Sequence, residues 1–122
     1  MVSTKFVSAV PIIPAQEIEA SATWYRDKLA FEIVHTEHEY GIVGRADDLQ
    51  IHFWGPSGIA PKDSMTMIRV GVDGIESLFE LCREHEIVHP NAPLEEKPWG
   101  LREFAVRDAD GNLVTFFERT PA

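Results

Sequence analysis

Cysteine is almost missing from this sequence: Cys82 is the only one in 122 residues. An intramolecular disulfide framework and a Cys-rich zinc site are therefore excluded, and a reducing, cytoplasmic setting fits. Positive charge is also scarce, with 11 Lys and Arg against 20 Asp and Glu for a net charge of -9. That balance opposes the phosphate-neutralising surface that DNA or RNA binding requires, so nucleic acid is not an expected partner. The same field attracts cations. Long apolar runs are lacking as well. The run from Phe6 to Ile13 is broken by Ser8 and Pro11 and falls far short of the ~20 residues of a membrane helix. With one Lys ahead of it and a proline inside it, it is also a poor signal peptide, and no membrane partner is expected. Nor is there a Ser-His-Asp pattern, a phosphate-cradling glycine loop or a G-x-S-x-G elbow, so nucleophilic catalysis has no visible agent.

What is present is an ordinary globular composition, 44% hydrophobic and 25% charged. A chain of this size buries enough surface for one core without staples, so a single domain is expected. Residues 6–13, FVSAVPII, read as an edge strand or a crossing arm carrying Pro11. From about Gln16 to Leu29 the residues Ile18, Ala22, Tyr25 and Leu29 recur at i, i+4, i+7 and i+11, one stripe of a helix, with Trp24 beside it. Three strands follow at 31–35, 40–45 and 49–54. The segment 55–64, GPSGIAPKDS, holds two Gly, two Pro and two Ser and reads as a linker.

The order then repeats. A strand is predicted at 65–72 and a helix at 75–85, whose apolar face is Ile75, Leu78, Phe79 and Cys82. Further strands are predicted near Val88, at 101–106 and at 113–118, the last two separated by the turn DADGN at 108–112. EIVH occurs at 32–35 and again at 86–89, and NLVTFF at 112–117 echoes LQIHFW at 49–54. The expected architecture is α/β (α+β): two tandem βαβββ modules, about 1–55 and 64–122 with a linker at 56–63, forming a curved mixed sheet. Helices cover one face of such a sheet, so function is sought on the concave one.

HEIVH at 85–89 matches the H-E-x-x-H pattern of zinc metalloproteases, but that motif needs both His on one continuous helix. Pro90 disfavours helical geometry at His89, so a helix end running into a strand is expected instead. His35 and His38 straddle a turn beside Glu37 and Glu39 and read as solvated. His52 lies in a strand with Gln50 and Trp54 on its own face, as a structural histidine or a ligand contact. Cys82, within the apolar stripe, reads as an inert buried thiol. Trp99, in PWGLREF at 98–104, reads equally as core packing or as a platform for a flat or cationic ligand.

The opening SAVPII, the passage WYRDKLAFEI and the closing PWGLREFAVRDADGNLVTFFE resemble the glyoxalase/bleomycin-resistance/dioxygenase superfamily, the vicinal oxygen chelate fold, over essentially the whole chain. SAVP and PWG followed by REFAVRD look most like its bleomycin resistance proteins. The superfamily's enzymes hold a divalent metal with two His and a Glu, and those positions fall here on Ala9 or Val10, Met67 and Thr115. None of these can replace an imidazole or carboxylate, and a fourth position, His52, does not make a site alone. The resemblance therefore implies no metal or other cofactor and no catalysis. It implies a homodimer, its N-terminal strand exchanged near Pro11, which sequesters a bleomycin-type antibiotic in crevices between protomers. Trp99 matches the family's stacking tryptophan, Tyr40 and Trp54 match crevice-lining positions, and His52 and Phe31 match more weakly. Arg69 falls at a ligand-facing position, where its charge opposes a cationic ligand. The alternatives are a metal-dependent lyase or dioxygenase using His52 with His35, and a binding protein for another small molecule.

Overall fold

The stripe Ile18, Ala22, Tyr25 and Leu29 is buried along its whole length on the first helix, α1 (Ile18–Leu29). The computed structural model describes residues 3–45, 49–55 and 65–121. α1 stops where Ala30 takes a left-handed φ of 59 and returns its N–H to Tyr25 O, turning the chain back toward the core. Around it stand β1 (Ile12–Pro14), β2 (Glu32–Thr36), β3 (Tyr40–Arg45) and β4 (Leu49–Trp54). They form one sheet in the order β1-β4-β3-β2, with β1 parallel to β4 and the other pairs antiparallel.

The second half has the same plan. β5 (Met67–Gly71), α2 (Ile75–Glu84), β6 (Glu95–Glu96), β7 (Leu101–Arg107) and β8 (Leu113–Arg119) give a sheet in the order β5-β8-β7-β6, with β5 parallel to β8. The fold is thus α+β, built of two βαβββ modules, and the expected curved sheet is hydrogen-bonded as two four-stranded mixed sheets. The linker expected at 56–63 lies outside the described residues. Ile51 and Phe53 on β4 match Val114 and Phe116 on β8 as the buried, helix-facing positions of a central strand. The NLVTFF echo of LQIHFW is therefore in structural register. EIVH is not: Val43 pairs with Ile33 and Ile51, while Val106 pairs with Val88 and Val114. Ile33 thus corresponds to Val88, one residue away from the letter match.

Three expectations need correction. The strand expected over 6–13 is confined to Ile12–Pro14, and residues 3–10 are exposed and without strand pairing within the chain. A strand is a property of a pair, and β1 has a partner only from Pro11 on, whose carbonyl accepts the His52 N–H at 3.0 Å. Near Val88 there is a single bridge to Val106, and the edge strand forms later, at β6. The strand expected over 65–72 is β5 alone, two residues shorter at its start. In HEIVH, His85 caps α2, Glu86 takes a φ of 58 and His89 donates its N–H to Ala105 O, so the two His do not share a helical turn.

The DADGN turn joins the modules. Asp108 Oδ1 accepts the backbone N–H groups of Asp110 and Asn112 at 2.9 and 3.0 Å, and Gly111 supplies the positive φ of 84. Asp108 Oδ2 accepts the Tyr25 hydroxyl of α1 at 2.7 Å, Asp110 accepts from Ser21 Oγ and Gln16 N, and Asn112 Nδ2 donates to Pro14 O at 2.9 Å. One continuous apolar core spans both modules. No helix among the described residues is long and apolar enough to cross a membrane.

Gly55, directly after β4, has no room for a side chain. A Cβ there would be driven into the carbonyl oxygen of Ala15, a backbone atom held in place by the Ala15 N–H to Trp54 O bond. Gly55→Ala is expected to cost about 1–3 kcal/mol through this overpacking, read by urea denaturation. An unchanged midpoint would mean that the β1 end yields freely.

Candidate functional site

Side chains alternate across each strand, so the helix-facing rows leave a second row on the open face of each sheet. On the first sheet this row holds Tyr40, Ile42, Gln50, His52 and Trp54, with Tyr40 paired directly opposite Trp54 and Ile42 opposite His52. The Tyr40 hydroxyl lies 2.5 Å from His52 Nδ1, and His52 Nε2 lies 3.0 Å from Gln50 Oε1. Because that Gln oxygen can only accept, Nε2 is the donor and Nδ1 accepts from Tyr40. Trp54 is half exposed beside this network.

These contacts bear on metal binding. Both nitrogens of His52 are already engaged. His35 pairs with Ile42, which pairs with His52, so the two imidazoles stand two strands apart. That is about 10 Å between backbones, with Ile42 standing between them, and His35 lies instead 3.6 Å from Glu37 Oε1. Met67 and Thr115 offer no imidazole or carboxylate, and no group of three or more His, Cys, Asp or Glu suited to a metal ion occurs among the described residues. The donor set does not fit the divalent metal of the superfamily's enzymes.

The open face of the second sheet carries Arg69, Trp99, Glu103 and Phe117. Lys97 to Gly100 form the turn between β6 and β7, closed by Gly100 N–H to Lys97 O at 3.1 Å, and Gly100 takes the φ of 84 that favours glycine. The turn lifts Trp99 clear of the core, 62% exposed, while its indole N–H donates to Glu103 Oε2 at 2.8 Å. Glu103 is itself buried. Arg69 reaches across β8 and meets it with two nitrogens, Nη1 to Oε1 at 3.3 Å and Nη2 to Oε2 at 2.9 Å. On the way the guanidinium lies over the Phe117 ring, 4.9 Å from its centre. The Arg69 hydrogen bond, more than any other contact, holds the Glu103 carboxyl below the usual glutamate range.

Of the expected site residues, then, Tyr40, His52 and Trp54 share one open face and Arg69 and Trp99 the other. Phe31 joins neither group. It is buried edge-on against Tyr25, beneath Arg45, and lines a cavity of about 670 Å³ between the modules together with Leu29, Val70, Leu78 and Phe116. Sequence reasoning missed Glu103 and Phe117. The charge expected at Arg69 is matched by a buried carboxylate 34 positions away, a pairing visible only once β5, β8 and β7 lie side by side. Cys82 is buried, which pushes its thiol up to about 12 and keeps it protonated at neutral pH.

The Glu103 cluster carries a pH signature. A carboxyl whose folded pKa is depressed stabilises the fold above its unfolded value, and that contribution is lost as pH falls through the folded one. Acid titration of tryptophan fluorescence, with the fold followed by circular dichroism, is expected to show a step below the ordinary glutamate range. That step should be missing in Glu103→Gln; a wild-type acid profile retained in this variant would contradict the pairing.

Residues 6–116 match the family described as the Glyoxalase/Bleomycin resistance protein/Dioxygenase superfamily. The bleomycin resistance protein of Geobacillus stearothermophilus is 30% identical over 129 residues, covering 93% of this chain and 97% of that one. Among solved structures, the bleomycin-binding protein from bleomycin-producing Streptomyces verticillus, complexed with copper(II)-bleomycin, superposes with a TM-score of 0.73 at 28% identity over 98% of this chain and 99% of that one. The bleomycin resistance determinant encoded on the transposon Tn5 shares the fold, with a TM-score of 0.80 at 24% identity over 93% of this chain and 98% of that one. The repeated strand order, the match over residues 6–116 and the 30% identity across nearly the full chain agree: the protein belongs to the Glyoxalase/Bleomycin resistance protein/Dioxygenase superfamily.

Proposed function

We propose that this protein binds and sequesters a bleomycin-type cationic glycopeptide in the cytoplasm, without altering it chemically, as a homodimer with ligand crevices between the protomers. The observation that carries this reading is the Trp99 indole, exposed but tethered through its N–H to Glu103. Its polar edge is satisfied within the chain, so what it offers outward is a π face, suited to a flat heteroaromatic tail or a cation. A cation over such a ring contributes about 0.5 to 2 kcal/mol, whereas micromolar binding needs about 8. Several contacts must act together, and Tyr40, Trp54 and His52 on the other sheet are the further candidates. The net charge of -9 favours the approach of a cationic antibiotic.

Two features support the dimer. Each open face is half of a site, and apolar side chains stand out from both sheets and from the N-terminal segment, among them Phe6, Val7, Ile12 and Met67. A second copy covers such surface and sets the first sheet of one protomer against the second sheet of the other. The donor set described above supports capture over metal-assisted turnover. Calorimetric titration with bleomycin, followed by mass spectrometry of the antibiotic released, tests the reading. Saturable binding and recovery of the unmodified compound are expected. Absence of saturation, or a modified antibiotic, overturns it, and sedimentation of a monomer at micromolar concentration overturns the dimer.

A further inference from the structure

We infer that Glu103 sets the charge selectivity of the Trp99 platform, by cancelling the charge of Arg69 and holding the indole so that only its face is available. The inference rests on reading this face as the ligand site, and it concerns a residue that touches no ligand itself. Glu103 is buried, and both of its oxygens are used, Oε1 by Arg69 Nη1 and Oε2 by Arg69 Nη2 and the Trp99 N–H. It is therefore a positioning residue and not a counter-ion for the ligand. Arg69, by contrast, has half of its side chain exposed and stands over Phe117, on the same face as Trp99. Without the carboxylate, a fixed positive charge would stand beside the platform and repel a cation. With it, the pair is neutral and the protein's overall negative field reaches the ring. The charge of Lys97 also reaches Glu103, and it is itself matched by Glu95 at 3.2 Å, so the face gains no net positive charge from it.

The indole tether sharpens the selectivity. Because the Trp99 N–H is spent on Glu103, the ring has no donor left for an acceptor group on the ligand. The platform thus favours planar and cationic groups over anionic or acceptor-rich ones.

The test separates this inference from the functional reading. Glu103→Gln keeps an amide oxygen for the Trp99 N–H but uncovers Arg69, and Arg69→Met with Glu103→Gln removes both charges while keeping an apolar chain over Phe117. Quenching of tryptophan fluorescence by iodide and by caesium reads the charge at Trp99 with no antibiotic present. Glu103→Gln is expected to raise iodide quenching and lower caesium quenching, the double variant to return both to wild-type values, and the changes to vanish on a Trp99→Phe background. Unchanged quenching in Glu103→Gln overturns the inference whatever the antibiotic does. Bleomycin affinity is expected to fall about three- to tenfold in Glu103→Gln, as for a new like charge within a partly screened site, and to recover in the double variant. Failure of the wild type to bind bleomycin would sink the functional reading while leaving the quenching result to decide on Glu103.

Discussion

Asp108→Ala is expected to destabilise the fold by about 3–5 kcal/mol, because it strips four hydrogen bonds from groups with few alternatives. Its Oδ1 accepts the N–H groups of Asp110 and Asn112, and its Oδ2 accepts the Tyr25 hydroxyl and Asn112 Nδ2. Tyr25 and Asn112 are completely buried, so neither the hydroxyl nor the Asn112 N–H can turn to water. Asn112 Nδ2 keeps Pro14 O as a partner and is the least affected. Urea denaturation should show a lower midpoint with an unchanged slope, since the unfolded surface is the same. Asp108→Asn retains one acceptor oxygen and should lose less. A loss below about 1 kcal/mol for the Ala variant would mean that water reaches these donors after all.

The same residue shows why a shifted carboxyl is not by itself a functional sign. Burial pushes the Asp108 carboxyl above its ordinary value, although hydrogen bonds from Asn112, Tyr25 and the turn backbone oppose the change. Such a shift is often the mark of a catalytic acid. Here every partner is structural: the carboxylate fastens α1 of the first module to the β7–β8 turn of the second.

What could be read from the sequence was local and periodic. The stripe of α1 and the bounds of β3 and β4 follow from apolar spacing and turn residues, because those elements bury one face whatever lies beyond them. DADGN announces a turn through residues that satisfy their own backbone, although its second task, holding Tyr25, depends on tertiary contact. The strand expected at 6–13 failed for the opposite reason: its residues have β character, but strand pairing needs a neighbour, and only Ile12–Pro14 finds one within the chain. At the site, Trp99 stood out through the resemblance of its PWG to the family's stacking tryptophan; its neighbours in sequence left core packing and a ligand platform equally open. Glu103 was one of 20 acidic residues with nothing to separate it from the rest. Its role comes from the crossover that sets β8 between β5 and β7, so that Arg69 can bridge to it over Phe117. Phe31 lies apart from both open faces because it follows a helix whose left-handed Ala30 turns the chain inward.

Trp99→Ala is expected to weaken bleomycin binding by about 1–3 kcal/mol, the range for loss of one stacking aromatic, which corresponds to roughly 5- to 150-fold in affinity. The ring is 62% exposed, so its removal takes little from the core, and the melting temperature should stay close to that of the wild type. Trp99→Phe divides the effect into its parts. Phe keeps a π face but has no N–H for Glu103, so it stacks without being held, and its affinity should fall between those of wild type and the Ala variant. If Phe and Ala lose equally, the tether to Glu103 matters more than the ring's area; if Phe matches the wild type, the tether contributes nothing to binding. Calorimetry with bleomycin on the three proteins distinguishes these results. Equal affinity in Trp99→Ala would remove this residue from the site and move the search to Tyr40, His52 and Trp54, whose open face is the other aromatic surface on the molecule's two sheets.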